Sequence, residues 1–172
     1  KGAVFIFSSS LLDSSYPAKS FINYTSADLR LNGTYVDSRF GASICEMDLN
    51  NDAYSDIAVG CPGNASGKGS VEIFVGGPIT SKYDNGSEYF ILGVDASGAF
   101  GTDIASAGDV DSDGFDDILI GAPLADRAYI FLNGYMTRAN LWDNNADLIC
   151  DFTGSINQTG NTWGITGADD GW

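Results

Sequence analysis

Two short acidic runs carry the residue types that can do chemistry in this chain. In the first, Asp48, Asn50, Asp52 and Asp56 stand at positions 1, 3, 5 and 9, with Ala53 at 6 and Tyr54 at 7. In the second, Asp109, Asp111, Asp113 and Asp117 hold the same positions, with Gly114 at 6 and Phe115 at 7. Like charges this close repel, so the crowding calls for a cation, a catalytic purpose or a fully solvated turn. Alternate oxygen-bearing side chains in a tight turn converge on one point, and the residue at position 7 can add its backbone carbonyl. Oxygen ligands without nitrogen or sulfur suit calcium, whereas magnesium prefers fewer protein ligands and more water. An EF-hand loop begins the same way but needs a bidentate Glu at position 12, where this chain has Val59 and Ile120. It also needs flanking helices, and these runs are flanked by strand-like sequence. Two loops in register favour a cation over a solvated acidic turn. Loop 1 is expected to bind more weakly, because Asn50 replaces a carboxylate and Ala53 a permissive glycine. Asp116, beside Asp117, is expected to face solvent or accept a hydrogen bond rather than ligate.

The rest of the composition narrows the alternatives. The chain has 172 residues, 23 acids against 8 Lys and Arg, and a formal charge of −15. Such a surface disfavours nucleic acid and anionic membrane and attracts cations. Histidine is absent, which removes Ser-His and Cys-His nucleophile pairs and most zinc and copper sites. No catalytic residue is assigned, and a non-enzyme is expected. No segment is apolar for long enough to span a membrane as a helix, and the sequence opens in a strand-like run, as a processed or excerpted piece would. Of three cysteines, Cys45 and Cys61 flank one turn and could pair across a hairpin; three buried thiols is an equal reading. Five Asn-x-Ser/Thr sequons occur, at Asn23, Asn32, Asn64, Asn85 and Asn157, and several of them would carry glycans if the chain is secreted by a eukaryote.

The elements that must position the acidic loops recur. "KGSVEIFVGG" from Lys68 repeats the opening "KGAVFIF", with an echo in "DRAYIFLNG" from Asp126. "FGASICEMDLNNDAYSDIAVGCP" from Phe40 aligns with "FGTDIASAGDVDSDGFDDILIGAP" from Phe100 across one inserted residue. The period is about sixty residues. Each unit holds about four short β-like runs bounded by Gly, Asn, Asp or Pro, and none has an amphipathic-helix period. The expected fold is all-β, built of four-stranded antiparallel blades of a β-propeller type; a repeated sandwich or solenoid is the alternative. The expected divisions are residues 1–39, the end of one blade and the start of the next; 40–99 and 100–162, two complete repeats; and 163–172, the start of a third. Val71, Ile73 and Val75 alternating with Glu72 predict a half-exposed strand.

Phe100-Gly101, the Asp109–Asp117 loop and Gly121-Ala122-Pro123 together resemble an FG-GAP repeat, the blade unit of integrin α-subunit propellers and related extracellular proteins. Phe40-Gly41, the Asp48–Asp56 loop and Gly60-Cys61-Pro62 match likewise, with Cys where Ala is usual. The resemblance implies two Ca2+ sites, Asp48, Asn50, Asp52, Tyr54 and Asp56 forming one and Asp109, Asp111, Asp113, Phe115 and Asp117 the other. It implies a secreted or cell-surface module of adhesion or assembly, with protein partners, further blades or copies of itself. Two complete units cannot close a ring, so a homo-oligomer or filament subunit is one expectation. A glycan-binding module using Trp142, Trp163 or Trp172, and an accessory domain of a secreted enzyme, are the alternatives.

Overall fold

The computed structural model describes residues 1–7, 24–77, 87, 89–132, 141–142 and 148–151. They form eleven strands: β1 Ala3–Ile6, β2 Leu29–Asn32, β3 Ile44–Met47, β4 Asp56–Gly60, β5 Ser70–Phe74, β6 Tyr89–Leu92, β7 Asp103–Gly108, β8 Asp117–Ala122, β9 Arg127–Phe131, β10 Leu141–Trp142 and β11 Leu148–Asp151. Strands β3 to β6 make one four-stranded antiparallel sheet, and β7, β8, β9 and β11 make another. Strands β1 and β2 pair as an antiparallel ribbon equivalent to the last two strands of a blade. The fold is all-β and blade-like, as the sequence predicts. One strand departs from the repeat: β10 lies parallel on β6 and widens the first sheet to five strands.

The residue inserted between the two units becomes a β-bulge. Strand β3 pairs evenly with β4, from Ile44 opposite Val59 to Met47 opposite Asp56. In β7 the register jumps between Ser106, opposite Ile118, and Gly108, opposite Asp117, so Ala107 is the extra residue. Gly108 takes a left-handed φ of 69° there. The bulge absorbs the insertion and returns Asp109 to the loop position that Asp48 holds in the first blade.

Blades stack through two apolar layers that are repeat images of each other. Between the β1–β2 ribbon and the first blade lie Val4, Leu31, Phe40, Val59, Cys61 and Phe74. Between the two blades the equivalent Val71, Ile91, Phe100, Ile120, Ala122 and Phe131 pack together, joined by Met47, Ile73, Ile118 and Tyr129. Phe100 is 1% exposed and meets Tyr129 and Phe131 edge-on; burying such a ring stabilises by about 2–3 kcal/mol. Glycines let the backbones approach. A Cβ on Gly60 would overlap the Gly101 carbonyl oxygen and Ser43 Oγ, and Ser43 Oγ donates to that same carbonyl at 2.9 Å.

This stacking overturns the reading of β5 as half exposed. All five of its residues are buried, Glu72 at 3% exposure included. Val71 and Ile73 face the second blade while Phe74 faces the ribbon, so alternation here separates two interiors rather than an interior from solvent. The Cys45–Cys61 pairing is also corrected. Cys45 stands opposite Ala58, three residues from Cys61, and an odd separation along a strand puts two side chains on opposite faces. Accordingly Cys45 packs on the layer between the blades and Cys61 on the other layer, and both are free thiols.

Candidate metal centre

Each acidic loop is the β-turn between the first two strands of its blade, and backbone amides turn its side chains inward. In loop 2, Asp109 Oδ1 accepts from the Asp113 amide at 2.9 Å and Oδ2 from Gly114 at 3.0 Å. Asp111 Oδ1 also accepts from the Asp113 amide, at 3.2 Å, and Asp113 Oδ1 from Phe115 at 3.0 Å. Asp117 Oδ2 accepts from Val110 at 2.7 Å, from the start of the second strand. Loop 1 repeats all five bonds. Asp48 accepts from Asp52 and Ala53, Asn50 Oδ1 from Asp52, Asp52 from Tyr54, and Asp56 from Leu49 at 2.8 Å.

The backbone repeats as well. Asn51 and Ala53 take φ of 52° and 65°, and Ser112 and Gly114 take 63° and 94°. Ala53 therefore holds a left-handed conformation that Gly114 adopts freely, at a cost of roughly 1–2 kcal/mol. Residues at positions 3, 5 and 6 are exposed, whereas Asp56 and Asp117 at position 9 are fully buried. Burial raises the Asp56 carboxyl above its ordinary range; the Gly76 and Leu49 amides lower it, and Asp52 and Asp48 raise it further.

This donor set fits a hard divalent cation. One carboxylate oxygen from each of Asp109, Asp111 and Asp117 lies within 4.8 Å of the others, the one such trio of acids among the described residues. Three anionic oxygens held that close, one of them on a buried side chain, gain most from a cation with flexible oxygen coordination. Loop 1 departs at Asn50, whose Nδ2 donates to Asp52 Oδ2 at 2.9 Å. That bond ties up an oxygen the ion would use. Asp116 proves to be a hydrogen-bonding group: its Oδ2 accepts from the Asp48 amide of the other loop at 3.3 Å.

Other sequence-assigned positions are placed as follows. Asn32 ends β2 and is exposed. Asn64 is buried, and its Nδ2, where a glycan would attach, donates to Ser70 Oγ at 2.9 Å. Asn23, Asn85 and Asn157, the Trp163-Gly164 start of a third unit and Trp172 lie outside the described residues. Two features escaped sequence reasoning: the contact between Asp116 and loop 1, and the buried Glu72. The repeat held the signal for the second, since Phe5 and Tyr129 occupy its position in the neighbouring units.

Comparison with known proteins agrees with this geometry. Residues 100–135 match the FG-GAP repeat. The chain is 39% identical over 106 residues to integrin alpha-3 of Cricetulus griseus, covering 59% of the chain and 10% of that protein. It is 34% identical over 112 residues to integrin alpha-5 of Xenopus laevis, again 59% and 10%. With integrin alpha-PS3 of Drosophila melanogaster the identity is 29% over 141 residues, 76% of the chain and 11% of the relative. The chain thus spans about a tenth of the length of the curated relatives it matches. Residues 100–135 thus match the FG-GAP repeat, and about 60% of the chain is similar to integrin α subunits.

Proposed function

We propose that these blades belong to an extracellular module of protein–protein contact, of the adhesion type, in which two calcium ions fix the hairpins. The observation that carries the calcium reading is the twinned loop. Five hydrogen bonds recur in both copies, ending in each case on a fully buried aspartate, and in loop 2 they accompany the convergence of Asp109, Asp111 and Asp117. Asp109, Asp111, Asp113, Asp117 and the Phe115 carbonyl would hold the tighter ion. Asp48, Asn50, Asp52, Asp56 and the Tyr54 carbonyl would hold the weaker one. In this reading the calcium is structural and no catalysis takes place. The similarity to integrin α subunits supports the adhesion role and a cell-surface or secreted location; among the described residues no helix is long and apolar enough to cross a membrane. Partners are other proteins and neighbouring blades. Asn32 is the described sequon whose exposure suits a glycan. Filament, self-association and glycan-binding readings gain no support from the geometry.

Melting in millimolar calcium and in excess chelator tests the metal reading. An extracellular-type site tenfold saturated adds about 1.4 kcal/mol by mass action, so two sites should raise Tm by roughly 5–10 °C. Equal melting points would overturn it. The contact role is tested with the native protein on beads in an extracellular-matrix extract. Bound protein should be released when calcium is chelated; retention indifferent to calcium counts against the role.

A further inference from the structure

We infer that Asp116 couples the two loops, acting as a positioning residue for the loop of the neighbouring blade. The inference rests on the calcium reading and deepens it. Asp116 follows Phe115 and precedes Asp117, both assigned to the loop 2 site, yet its carboxylate turns away from that site. Its Oδ2 accepts from the backbone amide of Asp48, the first ligand of loop 1, at 3.3 Å across 68 residues of sequence. The equivalent residue of loop 1 does something different. Ser55 Oγ donates to Glu46 Oε1 on β3 of its own blade. Position 8 therefore reaches within the blade in one copy and across the blade boundary in the other.

Two consequences follow from charge and geometry. Loop 1 has one carboxylate fewer than loop 2 because of Asn50, and Asp116, half-buried at the boundary, restores a negative charge beside it. The Asp48 side chain accepts from the Asp52 and Ala53 amides, so anchoring the Asp48 amide steadies the residue on which loop 1 is wound. An ion in loop 2 fixes Phe115 and Asp117 on either side of Asp116 and so fixes the anchor. Binding at loop 2 should then favour binding at loop 1, and by linkage the reverse holds to the same degree.

The full chain is titrated with calcium chloride by calorimetry as wild type, Asp116→Asn and Asp116→Ala. A terbium titration reads loop 1 through the sensitised emission that Tyr54→Phe removes, since loop 2 has Phe115 at that position. Asp116→Asn keeps an acceptor and removes the charge; Asp116→Ala removes both. Loop 1 affinity should fall about three- to tenfold in the alanine variant and less in the asparagine variant, with loop 2, which as the tighter site fills first and so binds without the coupling, changed by less than about twofold. In chelator, hydrogen exchange at the Asp48 amide should speed up in Asp116→Ala. Two calcium ions bound by all three proteins with unchanged affinities, or with both sites weakened equally, would sink the coupling and leave the calcium reading standing. A wild-type protein that binds no calcium sinks both.

Discussion

Asn50 is the one proposed ligand position at which the two loops differ in charge, and its effect should run in opposite directions with and without an ion. Without one, its Nδ2 donates to Asp52 Oδ2 and relieves crowding that loop 2 must bear unaided. With one, the same amide holds an oxygen away from the cation. Asn50→Asp should therefore raise loop 1 affinity about five- to tenfold while lowering Tm in chelator. Calorimetry and melting on the same variant check both halves, and a variant stabilised in chelator would contradict the account. The two acidic turns were legible in the sequence because side-chain oxygens at alternate positions leave a pattern. The Asp116 contact was not, because it depends on where a second blade lies. Asn64 shows the same limit: its sequon is intact in sequence, yet its nitrogen bonds to Ser70 inside the turn between β4 and β5.

Strands were legible where one face is wet and misleading where both are dry. Inserted Ala107 announced itself as a break in the alignment and became a bulge. β5 read as half exposed because Glu72 interrupts an apolar run, but blades cover it on both faces. The carboxyl of Glu72 is held above its ordinary range, first by burial, with hydrogen bonds from Cys61 and Ser87 opposing. A carboxyl raised in the native state destabilises it when ionised. As pH falls from neutral through the native pKa toward the unfolded value near 4.5, the native protein takes up a proton that the unfolded chain does not, and this residue's penalty disappears. Glu72→Gln should thus stabilise the protein at pH 7, the advantage shrinking toward pH 4.5. Parallel melts across that range decide it; an advantage independent of pH would mean that packing rather than charge is responsible. The Cys45–Cys61 pairing failed for a related reason. Symmetry about a turn says nothing of face, and here the register puts one thiol in each interior, Cys61 with its pKa pushed up to about 12 by burial first and by Glu72 next.

At the scale of the molecule the question is whether calcium acts as a bound ligand or as a counterion to a surface of formal charge −15. Both would raise stability, but they differ in how they saturate and in what replaces them. General screening depends on ionic strength alone and is largely complete when the Debye length falls to about 8 Å near 0.15 M salt. Site binding depends on convergent oxygens such as those of Asp109, Asp111 and Asp117 and on an ion that tolerates their irregular geometry. In chelator, raising sodium chloride from about 10 mM to 0.5 M should lift Tm, since crowded carboxylates in both loops repel most at low salt. In millimolar calcium the same salt series should move Tm much less, because the closest charges are already neutralised. Magnesium at equal ionic strength should give a smaller rise than calcium. Were sodium at matched ionic strength to reproduce the calcium effect, the loops would be solvated acidic turns. The recurrence of one hydrogen-bond scheme in two blades would then need another cause.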